Sequence, residues 1–440
     1  FMKDTLKNKA NLTANESLKN KARKTNLRID ELYSAVTGRN NAPIDGRVAS
    51  TLAGLRQTLQ SAMLGSTSIA ALTDINFNRM ARQFTGLRQT NVMQQYLQQL
   101  NPLNAKERGE LAISSGLIAE GWTTLAAGQM RFVGDMSGPE VTRRISDFVM
   151  RASLLSPLTT AGRWAFGMEF MGTVGRNATK RFNDLDPAFK NTMERYGLNE
   201  SEWDIIRSTT PYDEEGAKFI RPSDVAGRTD LDEGLRERIS QRFLEMINTE
   251  TEFAVPSNSL RGRTFLTGDA RPGTLRGELS RSFAMYKNFG VTLFNTHIMR
   301  GFNLPTAGTK GAYFANLIIS TTLMGALALQ LREIAKGRDP RPMTGDTEET
   351  LKFWAAAMLQ GGGLGIFGDF LASGTNRVGG GFAETLAGPV VSFGQDLYNL
   401  TGKNLVDAAT GTDPKVASDL VKFTQRYLPG SSLWYARLAL

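Results

Sequence analysis

The chain has 440 residues, no cysteine, a single histidine and a formal net charge of +9. Without cysteine it cannot form a disulfide framework, a thiolate metal site or a cysteine nucleophile. A site built from several histidines is excluded as well, and a Ser-His-Asp triad would have to use His297. We therefore expect no metal and no cofactor. The absence of cysteine is compatible with an oxidising or a reducing compartment, so it does not indicate where the protein resides.

The composition is that of a folded protein. Hydrophobic residues make up 41% of the chain and charged residues 22%, whereas disordered chains combine low hydrophobicity with high net charge. Glycine is the unusual residue, because 44 glycines occur without a collagen period. The start at Phe1-Met2 and the uncapped amphipathic pattern at the other end predict that this sequence is a piece of a larger polypeptide.

Apolar residues recur at helical spacing along most of the chain, and alternating runs typical of strands are scarce. The sequence therefore predicts an all-α fold, an extended multi-helix assembly with long helices and glycine-rich helical hairpins near the C-terminus. We expect four parts: a basic helical segment (1–45), a helical domain (46–180), a smaller region of helices and loops (181–277), and a hydrophobic, glycine-rich helical region (278–440) with membrane or oligomer contacts.

The first 30 residues are strongly basic, and a helical pattern continues to Thr37, where Gly38 fits a C-terminal cap. A solvated helical face is the simpler interpretation, because no aromatic residues are interleaved with the charges. The alternative is a surface for DNA or anionic lipid. The candidate DNA or lipid contacts are Lys19, Lys21, Arg23, Lys24 and Arg28.

Periodicity predicts further helices in the middle of the chain. The predicted helices cover residues 47–64, 74–100, 108–133, 141–155, 158–171, 230–251 and 278–302, with short helices starting at Pro187 and after Asn199. Asn199 and Glu202 have the spacing of a capping box. Residues 209–229 and 254–277 are predicted loops because glycine, proline and polar residues punctuate them.

The strongest pattern is residues 311–331, which carry no charged side chain and are bracketed by Lys310 and Arg332. A bilayer requires about 20 such residues in a helix. However, the asparagine, serine, threonines and glutamine within this run make it a weak spanning helix on hydropathy scales. It is therefore a candidate for burial by lipid or by another copy of the chain.

Residues 353–400 carry only four charged side chains and two glycine triplets, at 361–363 and 379–381. Their apolar pieces are too short to span a bilayer singly, so they are typical of helical hairpins, re-entrant elements or a buried helical core. The candidate membrane or oligomer contacts in this last part of the chain are Phe314, Leu317, Ile318, Leu323, Met324, Leu327, Phe353, Trp354, Leu364, Ile366 and Phe367.

No motif identifies an enzyme. The glycine-rich stretches lack the Gly-Lys-Ser/Thr ending of a phosphate-binding loop, and residues 361–365 lack the preceding strand of a dinucleotide fingerprint. The acidic clusters at 213–215 and 348–349 lie in polar, loop-like sequence, so we interpret them as solvated loops.

Two titratable residues lie within apolar patterns. Glu120, beside Trp122, could have a raised pKa and act as an acid, but a single such residue is not a motif, and pairing with an arginine is the simpler interpretation. His297, on an aromatic helical pattern near Arg300, is most simply a packed or hydrogen-bonded core histidine. We assign no catalytic residue.

Several segments spread over roughly residues 50–440 carry a family resemblance. They are residues 61–66, 71–74, 164–171, 195–198, 202–204, 271–274, 281–287, 337–343, 359–370 and 428–435. In these segments the chain resembles the very large internal virion proteins of tailed bacteriophages, including the ejection proteins of short-tailed phages. In that family such sequences usually form a C-terminal region, and a lytic transglycosylase or a virion RNA polymerase domain can be fused upstream of it.

The resemblance implies a virion role and does not say which enzyme, if any, accompanies it. Because this chain carries no catalytic motif, we expect a structural protein that assembles into a helical oligomer and helps form the DNA-ejection conduit across the host envelope. The implied partners are sister copies, other virion proteins such as the portal or other ejection proteins, the host membrane, and DNA without sequence preference. The implied location is the virion interior, then the host envelope or periplasm. The alternative is a fragment of a phage-encoded cell-wall-degrading enzyme, in which Glu120→Gln should abolish clearing of cell walls, or a polypeptide associated with a virion RNA polymerase.

Overall fold

The computed structural model is mostly helical, which confirms the all-α fold class. It describes residues 16–63, 74–90, 92–100, 138–214, 217–256, 260–285, 288–334, 337–361, 389–410, 416–431 and 433. Within these ranges the strands are limited to one short antiparallel pair. The predicted helix at 108–133 lies outside the described residues.

The described residues contain the following helices and strands in chain order. The first half contains α1 (Glu16–Val36), α2 (Gly46–Met63), α3 (Asp74–Thr85), α4 (Val92–Leu100), α5 (Glu140–Ala152), α6 (Leu155–Arg176), α7 (Pro187–Arg195), α8 (Glu200–Arg207), β1 (Tyr212–Glu214) and β2 (Ala217–Phe219). The second half contains α9 (Pro222–Ala226), α10 (Glu233–Ala254), α11 (Leu260–Thr267), α12 (Leu275–Ala284), α13 (Asn288–Leu293), a π-helix (Phe294–Ile298), α14 (Met299–Phe302), α15 (Ala307–Ile334), α16 (Thr347–Gln360), α17 (Pro389–Tyr398), a second π-helix (Asn399–Lys403), α18 (Asn404–Ala409) and α19 (Val416–Tyr427).

The main hydrophobic core lies between α3, α6, α7, α8 and α10. Aromatic side chains fill it: Phe170, Phe189, Trp203 and Phe243 are each at most 1% exposed. The Trp203 Nε1 donates a hydrogen bond to the carbonyl oxygen of Lys180 at 3.0 Å, so its polar atom is satisfied inside the core. Burial of these rings against one another holds the short helices α7 and α8 in place.

Two predicted helix starts in this region are confirmed. The Asp186 side chain accepts hydrogen bonds from the backbone N–H groups of Ala188 and Phe189, and Pro187 occupies the first turn of α7. The capping box of α8 is present, since Asn199 accepts from Glu202 N while the Glu202 carboxylate accepts from Asn199 N at 3.1 Å.

The capping box gives a first prediction. Asn199→Ala leaves N–H groups in the first turn of α8 without their acceptor and should lower the free energy of unfolding by about 1 kcal/mol. Asn199→Asp keeps the acceptor and should leave stability close to that of the parent chain. Urea unfolding of the three proteins compares them, and equal losses in both variants would contradict this role of the side-chain oxygen.

Two predicted helix boundaries are wrong. The pattern over 74–100 is interrupted after Thr85, where Gly86 adopts φ +71° and lies so close to α7 that a Cβ atom would come within 2.7 Å of Phe189 N. The predicted break at Ser156-Pro157 lies earlier, at Leu154, which adopts φ +67°. Pro157 falls in the first turn of α6, where no intrahelical N–H partner is lost.

The predicted loops contain short elements. Residues 209–229 include β1 and β2, paired in register from Tyr212 to Phe219, and the one-turn helix α9. Residues 254–277 include α11. The predicted continuous helix over 278–302 is interrupted after α12, and α13, the first π-helix and α14 then follow without a gap from Asn288 to Phe302. Elements this short do not repeat their periodicity often enough to be detected in a sequence.

Candidate functional surface on helices α15 and α16

Helix α15 contains the whole uncharged run identified in the sequence. It is 28 residues long, with a mean hydropathy of 1.6 over its most apolar stretch, and 33% of that stretch is buried. Its length and composition would allow it to cross a membrane. No other helix in the described part of the chain meets both criteria. A buried core helix passes the same test, so its environment decides between these roles.

Helix α15 packs against α16 through small residues. A Cβ atom added to Gly325 would overlap the carbonyl oxygen of Ala357, and one added to Gly361 would overlap the carbonyl oxygen of Thr321. The two backbones therefore touch at both points. Such close approach through small residues maximises van der Waals contact and does not depend on the exclusion of water.

Polar contacts fix the connection between the two helices. Gln330 and Arg341 exchange two hydrogen bonds, from Nε2 of Gln330 to the Arg341 carbonyl and from the Arg341 N–H to Oε1 of Gln330, both at 2.8 Å. Glu333 forms ion pairs with Arg338 at 2.8 Å and with Arg341 at 2.9 Å. Since the Glu333 side chain is only 7% exposed, these pairs stabilise one geometry of the connection.

The first half of α15 is anchored to the rest of the molecule. Leu317 is 1% exposed and packs with Phe77 and Met80 of α3. Nearby, the Asn76 Nδ2 donates to Ser320 Oγ at 2.7 Å. Helix α15 is therefore part of the folded body at one face and along one half of its length.

The opposite face of α15 carries large aliphatic side chains that lie in solvent. Ile319, Leu323 and Leu327 recur every fourth residue and are 61%, 56% and 43% exposed. We call these three residues the α15 stripe. Ile318 and Ile334 flank it, at 40% and 49% exposed. The arrangement is the reverse of a soluble core helix, because small residues face the neighbouring helix and the large apolar ones face outward.

The candidate contacts proposed from the sequence fall into separate environments. Ile318, Leu323 and Leu327 are exposed on or beside the stripe. Leu317 and Phe353 are buried, at 1% and 5% exposed, so they pack inside this chain. Phe314, Met324 and Trp354 are partly buried. Leu364, Ile366 and Phe367 lie outside the described residues. Ile319 and Ile334 were missed, although the spacing of Ile319 from Leu323 and Leu327 signals their common face.

The basic helix α1 has no buried residue. Lys21, Lys24 and Arg28 share one face of it, because they are spaced by three and four residues, and all three are exposed. Lys19 and Arg23 lie on the other side, and Lys19 is 3.5 Å from the Glu16 carboxylate. The guanidinium carbon of Arg28 lies 5.5 Å from the ring centroid of Phe265 in α11, which ties the helix to the body.

A buried group of charges, not identified in the sequence, joins α7, α10 and α14. Glu250 is 0% exposed, and its Oε2 accepts from Arg300 Nη2 at 2.7 Å while its Oε1 accepts from Tyr196 Oη at 3.0 Å. The Arg195 Nη1 lies 3.9 Å from the same carboxylate. Burial and the adjacent Glu250 raise the pKa of Tyr196, so the phenol stays protonated and donates.

His297 is confirmed as a hydrogen-bonded core histidine. It is 0% exposed, with Nε2 2.8 Å from the Phe253 carbonyl oxygen and Nδ1 2.8 Å from Tyr313 Oη. Since a carbonyl only accepts, Nε2 carries the proton and Nδ1 accepts from the phenol. Burial, together with the nearby Arg300 cation, lowers the pKa of His297 to about 3. The imidazole is therefore neutral in the folded chain and structural in role.

Among the described residues, no group of three or more potential ligands could hold a metal ion. No protein-family model, no curated protein and no solved structure matches this chain. The α15 stripe is the exposed apolar row on α15 that the contacts with α3 and α16 leave uncovered.

Proposed function

We propose that this chain is a structural protein of a tailed-bacteriophage virion, of the internal ejection class, rather than an enzyme. In this proposal it assembles with sister copies and other virion proteins, such as the portal or other ejection proteins, and then contributes to a conduit for DNA across the host envelope. The sequence resemblance supports the class, and the outward-facing α15 stripe is the observation that carries the assembly and membrane roles.

The exposed aliphatic side chains of the α15 stripe supply a driving force for association. Full burial of one leucine or isoleucine side chain contributes about 1.5–3 kcal/mol, so an exposed row of them on one helix favours association. In the proposed assembly the stripe is covered by a sister copy inside the virion and by lipid at the host envelope. The close contact at Gly325 and Gly361 serves both states, because packing through small residues persists in lipid as well as in water.

In the proposal, the basic face of α1 binds DNA or a membrane surface. Lys21, Lys24 and Arg28 would lie against DNA or anionic headgroups, which attract clustered cations without requiring a specific sequence. Glu16, Asp30 and Glu31 on the same helix limit its net charge, so we expect this contact to be weak and strongly dependent on salt.

Vesicle flotation tests the role of the stripe. In the variant Ile319→Ser, Leu323→Ser, Leu327→Ser the exposed apolar row is removed, while the contacts of Gly325 and Leu317 are left in place. We expect its partition into vesicles of anionic phospholipid, and its self-association at equal concentration, to fall at least about tenfold. This variant is preferable to deletion of 311–400, which would also remove the anchoring contact of Leu317 with α3.

The matched control changes exposed apolar residues elsewhere. Leu275 and Leu279 on α12 are 80% and 57% exposed, and their replacement by serine removes a similar amount of apolar surface. Only the α15 variant should lose flotation and self-association. If the parent chain neither floats nor self-associates, or if both variants behave as the parent does, the stripe has no part in assembly and the proposed function loses its structural support.

A further inference from the structure

A cavity of about 860 Å³ lies beside the buried charge group. Its walls come from α3, α7, α10, the first π-helix, α14 and the turn that follows α14. Its size falls within the range of pockets that hold small organic molecules. The π-helix is notable here, because this rare geometry occurs frequently at functional sites and, in this chain, places Asn295 and Thr296 on the cavity wall.

The two arginines at the cavity differ in how closely they are paired. Two guanidinium groups, those of Arg195 and Arg300, lie close to a single buried carboxylate, that of Glu250. Both oxygens of Glu250 are already engaged, by Arg300 and by Tyr196, and Arg195 approaches only to 3.9 Å. Glu194 also lines the cavity, and both it and Arg195 are exposed, so water screens their two charges alike. Arg195 is therefore the cation at the cavity whose contact with Glu250 is distant, whereas Arg300 is committed to that carboxylate.

The two arginines are held in place by aromatic rings. The guanidinium carbon of Arg195 lies 4.3 Å from the Phe84 centroid, and that of Arg300 lies 4.1 Å from Phe84 and 3.2 Å from the Phe253 centroid. Arg300 Nη1 is buried and has no hydrogen-bond partner within the described part of the chain. Because Arg300 Nη1 is enclosed by protein, the cation that an anion in the cavity would contact is the more exposed Arg195, which Phe84 holds beside Arg300.

The remaining wall combines amides with apolar side chains. Asn191, Asn295 and Asn303 supply neutral hydrogen-bonding groups, and Met299 and Leu304 supply apolar surface. From this lining we infer that the cavity is a binding site for a small organic oxyanion, a carboxylate or a phosphate, attached to an apolar body about the size of one ring. The oxyanion contacts Arg195 beside Arg300, and the apolar body packs along Phe84, Met299 and Leu304.

Isothermal titration of the full chain with four probes tests this site: phenyl phosphate, benzoate, inorganic phosphate and phenol. We expect phenyl phosphate or benzoate to bind at millimolar concentration or below, and whichever binds more tightly identifies phosphate or carboxylate as the preferred oxyanion. Inorganic phosphate and phenol should bind at least tenfold more weakly, because each lacks half of the proposed contacts. Absence of binding by both phenyl phosphate and benzoate would overturn the proposal, as would equal binding of phenol.

Variants locate the binding. Arg195→Gln removes the partly exposed cation and should weaken binding of the better probe at least tenfold. Arg300→Gln is avoided, because it takes the close cation away from the buried Glu250 carboxylate and so destabilises the fold. Asn295→Trp places an indole ring on the cavity wall and should weaken binding by obstructing the site. Arg207→Gln on α8, outside the cavity, is the matched loss of one cation and should bind as the parent chain does. Equal affinity in all four proteins, each with a native circular dichroism spectrum, would refute the site.

Discussion

Replacing Gly325 with alanine should force α15 and α16 apart and lower the free energy of unfolding by about 1–3 kcal/mol. The added Cβ atom would overlap the backbone oxygen of Ala357, and a backbone atom of a helix is unable to rotate away as a side chain would. Hydrogen exchange of the amides over 347–360 should increase, because α16 would lose the surface against which it packs. Gly361→Ala should produce the same symptoms through its overlap with Thr321.

Gly311 provides the matched control on the same helix. A Cβ atom built there meets no heavy atom within 4 Å, so Gly311→Ala should act only through helix propensity and stabilise the chain by about 0.5–1 kcal/mol. The two substitutions are chemically identical and are expected to have opposite signs. The close contact of α15 with α16 would be disproved if Gly325→Ala were as stable as Gly311→Ala and left exchange over α16 unchanged.

Acidification from pH 7 to pH 5 should reduce the free energy of unfolding by about 2 kcal/mol through His297 alone. The native pKa is lowered from 6.5 to about 3 by burial and by Arg300, so the unfolded chain binds a proton in this interval and the native chain does not. Stability from this residue is therefore complete above pH 6.5 and is lost progressively as the pH falls toward 3. The chain has no other histidine that could produce the same slope.

Urea unfolding at a series of pH values measures this effect. His297→Gln keeps a side chain able to donate to the Phe253 carbonyl but removes the titration, so it should be less stable at neutral pH and should lack the 2 kcal/mol decline. The difference in slope between the two proteins isolates His297 from the carboxylates, among which Asp147 has a pKa raised by burial and so contributes with the opposite sign. Parallel slopes would show that His297 titrates normally in the native chain.

Local signals allowed part of the fold to be predicted. Neighbouring residues decide several helix boundaries, because caps and charge-free runs act within a few positions. These boundaries are the end of α1 at Gly38, the starts of α7 and α8 at Asp186 and Asn199, and the extent of α15. The break after Thr85 has a local signal too, because Gly86 adopts φ +71° and the Leu87 N–H donates to the Arg82 carbonyl, but we missed it within a longer helical pattern. The approach of α7 to residue 86 could not be predicted, since α7 lies a hundred positions further along the chain.

The candidate surface could be predicted in outline but not in orientation. A run with no charge and apolar residues on every side does not reveal which face packs, so buried Leu317 and exposed Ile318 were grouped together. The face was decided by Gly325 and Gly361, whose contact partners lie on the other helix. The cavity could not be predicted from the sequence either, because its residues Phe84, Arg195 and Arg300 come from distant parts of the chain.

The distribution of hydrophobic clusters has a mechanical consequence. The largest cluster draws its members from residues 81–255, whereas α17 and α19 hold to the body through a small group around Leu59, Met285 and Tyr427. Helix α1, with no buried residue, is held still more lightly. Tension applied at both ends of the chain would therefore peel off the outer helices one after another, and the aromatic centre around Trp203 would be the last part to yield.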